Sequence, residues 1–260
     1  MKDDQRRTSL LTEERRQQIL ASLEREGRVF ATELSHRYHV SDDTIRRDLD
    51  ALADLGMVQR VHGGALRRAT FTENFEERQT ENAAAKDAIA RGTVSLLQQG
   101  QTILLDGGTT SLAIVRHLPP DFTGTVITTS PPIAVALASF AAIEVILIGG
   151  RLYRYAMVAV GAETIAQLRA IHADICILGI LALDPTFGVS VRDYEEAQVK
   201  RAMIMAASQV IAPTIHEKLG TVARFEVAPI SAITHLVTEA AASRDQLMPY
   251  QEAGLTILQV

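Results

Sequence analysis

The sequence predicts an α/β protein in two parts: a small N-terminal α-rich module closed by a β-hairpin, then a larger, mostly parallel sheet flanked by helices. Three observations carry that prediction. Residues 41–52 read as a capped amphipathic helix, preceded by two helical segments and followed by a glycine-tipped hairpin. Beyond residue 100, short apolar runs alternate with helical stretches, the pattern of a parallel sheet covered on both faces. The length, 260 residues, accommodates a small module and a second domain of roughly 180 residues with its own core.

In chain order, residues 1–11 are a polar N-terminus expected to be flexible, and residues 12–68 form the first module. Glu13 to Glu26 carries Ile19, Leu20 and Leu23 at helical spacing and stops at Gly27. Ala31 to His39 carries Leu34 and Tyr38, and a short turn follows at His39-Val40. Ser41 can accept from the free amides of the next helix, and Asp42 and Asp43 suit its positive end. Ile45, Leu49 and Leu52 fall at i, i+4 and i+7 and form one packing stripe, which leaves Thr44, Arg46 and Arg47 pointing elsewhere. Such a face fits the major groove of DNA, where arginine grips guanine O6 and N7. Met57 to Val61 has strand character, His62-Gly63-Gly64 is a tight turn, and Ala65 to Arg68 returns antiparallel. This wing would set Arg60, Arg67 and Arg68 beside the phosphates. The candidate DNA contacts are Ser41, Thr44, Arg46, Arg47, Arg60, His62, Gly63 and Arg67. The alternative is a solvated arginine face. Bulk charge does not decide between them, because residues 1–68 hold 13 Lys or Arg against 12 Asp or Glu.

Residues 69–81 are expected to be a linker, since Phe71 to Glu81 is polar and aperiodic, and residues 82–260 to be the second domain. Asn82 to Gln98 reads as its first helix. Buried strands are expected at Thr102–Leu105, Val126–Thr128, Val145–Ile148, Ile175–Leu178, Val210–Ile211, His235–Val237 and Leu255–Leu258. Ligands of open α/β sheets collect beyond the carboxyl ends of the strands. The first three exits here are Asp106-Gly107-Gly108-Thr109-Thr110-Ser111, Thr128-Thr129-Ser130 and Gly149-Gly150-Arg151. The first opens a helix whose free amides and hydroxyls suit a phosphate.

Glu14-Arg15-Arg16-Gln17-Gln18-Ile19-Leu20, Val40-Ser41 with Thr44-Ile45-Arg46-Arg47-Asp48-Leu49, and Arg60-Val61-His62-Gly63-Gly64-Ala65 resemble the winged helix-turn-helix of the DeoR family of transcriptional regulators. Asp106-Gly107-Gly108-Thr109-Thr110, Gly149-Gly150-Arg151-Leu152, Gly161 and Glu196-Ala197 through Val199-Lys200-Arg201-Ala202 resemble that family's C-terminal domain. The resemblance implies a fold similar to ribose-5-phosphate isomerases and CoA transferases, a sugar-phosphate effector, and homodimers or homotetramers. It makes Asp106, Gly108, Thr109, Thr110, Ser130, Gly150, Lys200 and Lys218 the candidate effector-binding residues. It also makes the chain a regulator of a carbohydrate or sugar-phosphate operon, more often a repressor, whose partner is double-stranded operator DNA. Asp193-Tyr194 looks somewhat like the glycerol-3-phosphate-responsive branch.

Two stretches depart from the family pattern. An Asp-Gly pair is usual after the fourth strand, where this chain has Leu178-Gly179-Ile180-Leu181-Ala182-Leu183-Asp184. Ile215-His216-Glu217-Lys218-Leu219-Gly220 stands where Asp-Ser-Ser-Lys-Phe-Gly is usual. Two alternatives therefore stay open: an isomerase-like enzyme with a fused DNA-binding module, and a regulator with a vestigial pocket. No catalytic residues and no cofactor are expected. The single cysteine, Cys176, lies in an apolar run and reads as a buried structural thiol, and no metal-ligand spacing is visible. No apolar run approaches the roughly 18 residues of a membrane span, so the expected location is cytoplasmic without a membrane partner.

Overall fold

A computed structural model describes residues 12–69 and 72–260. The polar N-terminus expected at residues 1–11, and Phe71, lie outside the described residues. Contacts divide the chain into two units, residues up to Ala69 together with Gly220–Ala223, and residues 70–219 together with Arg224–Val260.

The smaller unit consists of α1 (Thr12–Glu26), β1 (Arg28–Phe30), α2 (Ala31–Tyr38), α3 (Asp42–Asp54), β2 (Val58–Val61) and β3 (Gly64–Arg67). Helix α3 begins where the cap dictates, with the Ser41 side chain accepting from Thr44 N at 3.2 Å. Ile45, Leu49 and Leu52 are all buried, and they join Ile19 and Leu23 of α1 and Leu34 and Tyr38 of α2 in one core. The wing differs from the expected hairpin in having three strands, ordered β1-β3-β2 and all antiparallel. Gly64 is required there by close approach, because a Cβ at this position would overlap the carbonyl oxygen of Val29. Gly63, at φ +80°, makes the turn in a region that side chains rarely adopt.

The larger unit opens with α4 (Phe75–Thr80), a short helix inside the segment expected to be linker, with the Asn74 side chain capping Glu76 N at 2.8 Å. Next comes α5 (Ala83–Val94), shorter than the expected 82–98 because tight turns from Leu96 N to Thr93 O and Leu97 N to Val94 O end it early. There follow β4 (Thr102–Leu105), α6 (Thr109–His117), β5 (Gly124–Thr128), α7 (Pro131–Leu137), β6 (Ile143–Leu147), the hairpin strands β7 (Arg151–Tyr153) and β8 (Val158–Val160), and α8 (Ala162–Leu168). The remainder is β9 (Ala173–Ile177), β10 (Ala182–Asp184), β11 (Gly188–Val191), α9 (Tyr194–Met205), β12 (Ala207–Pro213), β13 (Phe225–Ala228), β14 (His235–Thr238), α10 (Arg244–Glu252) and β15 (Thr256–Gln259).

Seven of these strands form one parallel sheet in the order β15-β14-β12-β9-β4-β5-β6. The chain starts in the middle at β4, builds outward to β6, then returns to β4's other side with β9. The order therefore reverses between β4 and β9, and a reversal of this kind opens a crevice at the carboxyl ends of the two strands. One face of the sheet packs Ile103, Leu105, Val126, Ile175 and Ile177 against Ile89 of α5, Leu112 and Val115 of α6 and Ile133 of α7. A second, antiparallel sheet, β10-β11-β13, was not legible in the sequence.

Candidate functional site

The candidate DNA contacts cluster on α3 and the wing. Arg46 and Arg47 are exposed while the stripe beneath them is fully buried. Arg47 makes an ion pair with Asp43 at 2.6 Å one helical turn away, an exposed pair that a phosphate or base can displace cheaply. The Ser41 and Thr44 hydroxyls share a hydrogen bond of 2.9 Å at the head of the helix. His62 and Gly63 are exposed at the wing's tip. Arg60 is more engaged than expected, its guanidinium donating to Asp50 Oδ1 at 2.7 Å and to Gly64 O. Arg67 is partly buried, with its amide donating to Gly27 O at 2.9 Å.

Beneath α3 lies a residue that the sequence reading did not single out. Asp48 is 2% exposed and accepts from Arg15 Nε at 2.5 Å and Arg16 Nε at 3.1 Å, which fastens α1 to the back of α3. Both arginines sit in the quoted Glu14–Leu20 string. Only their arrival from 32 and 33 positions away gives Asp48 its role.

In the larger unit, the exits of β4, β5 and β9 come together on one sheet face. Leu104 pairs in register with Cys176 on one side and Ile127 on the other. Side chains alternate along a strand, so two residues further on Asp106, Leu178 and Thr129 share that face. Helix α9 covers it: Lys200 Nζ donates to Asp106 Oδ2 and, at 2.7 Å, to Gly179 O, and it stands 3.7 Å from Glu196 Oε1. Asp106 in turn accepts from Gly179 N at 2.9 Å and Gly107 N at 2.8 Å. A Cβ on Gly179 would stand 2.6 Å from Gly107 O, so the two exits meet backbone to backbone. Lys200 is thus a buried side chain committed to a carboxylate, not a solvated one on a helix surface.

The electrostatics follow from this crowding. Burial pushes the Glu196 carboxyl up to about 7 against the pull of Lys200. Burial opposes charge on Lys200, but Asp106 and Glu196 hold its pKa above the usual lysine value. Lys218, which donates to Ile180 O at 2.6 Å, is lowered to about 8, first by burial and then by the charges of Lys86, Lys200 and Arg78. Lys86, which donates to Arg78 O, is also lowered, mainly by burial. Two cations, Lys200 and Lys218, therefore meet the backbone just past β9, at Gly179 O and Ile180 O, and the charges of Lys86 and Arg78 bear on the second of them. Among the described residues, two buried polar atoms, Glu196 Oε2 and Thr129 Oγ1, have no hydrogen-bond partner.

The other expected pocket residues divide. Thr109 and Thr110 occupy the first turn of α6, whose N-cap Gly108 has φ +123° and open space where a side chain would go. The first-turn amides of a helix have no acceptor within it. Ser130 is fully buried, and its hydroxyl is spent on Met157 O at 2.8 Å. Gly150 turns toward α8, where a Cβ would overlap Thr164 Oγ1. Among the divergent residues, Ile215 packs in the sheet core and Glu217 accepts from Asn82 at 3.1 Å. Glu239 accepts from both His216 N and His216 Nδ1. Lys86, Arg78 and Gly179 escaped the sequence reading, because nothing local to them signals that they converge. Cys176 is fully buried, and no group of His, Cys, Asp and Glu suited to a metal occurs among the described residues. No helix there is long and apolar enough to cross a membrane.

Comparison with known proteins agrees with this geometry. Residues 15–70 match the DeoR-like helix-turn-helix domain, and residues 81–240 match the DeoR C terminal sensor domain. The chain is 32% identical over 229 residues to the HTH-type transcriptional repressor GlcR of Bacillus subtilis, covering 87% of this chain and 88% of that one. It is 30% identical over 223 residues to the glycerol-3-phosphate regulon repressor of Escherichia coli K12, covering 85% and 88%. It is also 30% identical over 246 residues to the HTH-type transcriptional regulator GolR of Listeria innocua, covering 94% and 97%. Among solved structures, ribose 5-phosphate isomerase A from Methanocaldococcus jannaschii aligns at 17% identity over 51% of this chain and 52% of its own, with a TM-score of 0.37. With a helix-turn-helix and a sensor domain that together match most of its length, and with regulators rather than enzymes as its relatives, this chain is a member of the DeoR family of DNA-binding transcriptional regulators.

Proposed function

We propose that the chain is a cytoplasmic, homo-oligomeric repressor of a carbohydrate or sugar-phosphate operon, released from its operator by a small phosphorylated metabolite. Residues 12–68 read the DNA and residues 82–260 bind the effector and self-associate. The observation that carries the DNA reading is the outward display of Arg46 and Arg47 on a helix anchored by Ile45, Leu49 and Leu52. The effector reading is supported by Lys200 and Lys218 at the β9 exit, where the charges of Lys86 and Arg78 add repulsion that an anion would relieve, and by the orphaned Glu196 Oε2 and Thr129 Oγ1, which hydroxyl groups would satisfy. The first turn of α6, with Thr109 and Thr110, supplies donors for a phosphate.

Selection from random duplex DNA, followed by anisotropy titration, tests the first reading. Wild type should enrich a two-fold symmetric site that the Arg46→Ala/Arg47→Ala double variant binds no better than random DNA, and equal binding by the two proteins would refute it. Thermal unfolding in the presence of phosphorylated C3 to C6 metabolites tests the second, because a ligand of the folded state raises stability as RT ln(1 + [L]/Kd). The internal pairing of Lys200 with Asp106 and the burial of Ile215 favour one other reading, a vestigial pocket, under which no metabolite shifts either melting or DNA affinity.

A further inference from the structure

The β7–β8 hairpin is tied at both ends to something of consequence. At its strand end it rests on the β4 and β5 exits: Ser130 Oγ donates to Met157 O at 2.8 Å, Ala159 N donates to Thr129 O at 2.7 Å, and a Cβ on Gly107 would overlap Val158. At its turn, Tyr155 meets two guanidinium groups, Arg78 Cζ at 3.9 Å and Arg192 Cζ at 4.7 Å from the ring centroid. Arg78 belongs to α4, in the segment through which the chain passes from the first unit to the second, and it also donates to Tyr155 O and to Thr72 O. Arg192 reaches back to the same segment through an ion pair with Glu73 at 2.7 Å. Helix α4 has no buried residue of its own, so it is held by its neighbours: by these contacts, by Arg116 of α6 donating to Gln79 at 3.3 Å, and by Lys86 donating to Arg78 O.

Arg78 is common to both ends: besides holding Tyr155, it accepts from Lys86 Nζ at its carbonyl, and its charge and that of Lys86 both bear on Lys218, which donates to Ile180 O just past β9 at 2.6 Å. An anion arriving among those cations attracts Arg78 and competes with the Tyr155 ring for it. We propose that the β7–β8 hairpin relays effector occupancy from the strand exits to the connecting segment, with Tyr155, clasped by Arg78 and Arg192, as the joint. The relay rests on the effector reading given above. It requires the hairpin turn and α4 to open together, and it requires the ring, not the phenolic hydroxyl, to do the holding.

Hydrogen exchange on the full-length protein tests the joint without any ligand. Tyr155→Ala should speed exchange about tenfold in both 75–80 and 151–160, the loss of two partly shielded cation–π contacts, while the amides of β4, β5 and β9 stay protected. Tyr155→Phe, which keeps the ring, should remain within about threefold of wild type. Faster exchange in the hairpin with α4 unchanged overturns the proposal, as does a Phe variant that behaves like Ala.

A second arm titrates glycerol 3-phosphate, glucose 6-phosphate and inorganic phosphate against DNA binding. For a compound that shifts the melting of wild type, Tyr155→Ala should retain both that shift and its DNA affinity but lose the ligand-induced change in affinity. A ligand-induced change of wild-type size in Tyr155→Ala overturns the relay. A wild type that no sugar phosphate stabilises refutes the effector reading instead, and the exchange experiment then decides whether the joint exists.

Discussion

Removing the Asp48 carboxylate should destabilise the DNA-binding unit severely. Its side chain is 3% exposed, and that of Arg15 is 6% exposed, so the pair at 2.5 Å is shielded from water and from salt. Arg16, 25% exposed, adds a second contact at 3.1 Å. Asp48→Ala removes the buried carboxylate that pairs with Arg15 and Arg16, and breaking a buried pair from one side costs about 3–5 kcal/mol. Small domains have only ~5–15 kcal/mol in total. At about 4–8 °C per kcal/mol for a domain of this size, the loss lowers its melting temperature by at least about 12 °C. The assay is hydrogen exchange of the α1 and α3 core amides together with anisotropy titration on a duplex selected by wild type.

The double variant Asp48→Leu/Arg15→Met separates pairing from packing. Apolar groups of similar volume replace a buried ion pair at little cost, so the double variant should recover most of the stability that Asp48→Ala loses. If Asp48→Ala stays within about 1 kcal/mol of wild type, the contact behaves as an exposed ion pair and the reasoning fails.

Arg46→Ala or Arg47→Ala should each cost about 1–3 kcal/mol on the selected site and relax base preference, whereas Arg60→Ala should weaken all sequences alike and reduce the salt slope by about 1. Anisotropy titrations at several salt concentrations distinguish the two patterns. Glu196, raised from 4.5 to about 7, holds a proton in the folded state that the unfolded chain releases. Its contribution is complete below about pH 4.5 and is lost as pH rises through about 7, so wild type should lose up to about 3 kcal/mol between pH 5 and 8 on its account. Glu196→Gln should flatten that profile in urea unfolding, and parallel profiles would contradict it. Gly64→Ala should lower stability by about 1–3 kcal/mol through the clash with Val29 O, read as a drop in the melting temperature of the full chain.

Much of the architecture was legible because it rests on local regularities. The Ser41 cap, the Ile45–Leu49–Leu52 stripe, the glycine turn of the wing and the continuous apolar runs at 102–105, 126–128 and 175–178 each announce an element within a dozen residues. Where the signal is not local, it was missed. Strand β1 is three residues long, and only its pairing with β3 makes it a strand. Helix α4 is capped by Asn74 but has no apolar stripe, so it reads as linker until Arg78 reaches Tyr155. Gly150 and Ser130, candidates through the family resemblance, are engaged in packing and backbone bonds.

The order of elements, the helix that displays Arg46 and Arg47, and the family are all readable along the chain, since caps, periodicity and motif strings are properties of neighbouring residues. Which charges are buried, and with whom, comes from folding: Asp48 with Arg15 and Arg16, Lys200 with Asp106, Glu196 with half its carboxylate unanswered, and Tyr155 against two guanidinium groups. A charged side chain has the same identity on a surface and in a core. What it costs, and what it can do, depends on the partners that distant parts of the chain bring within a few ångströms.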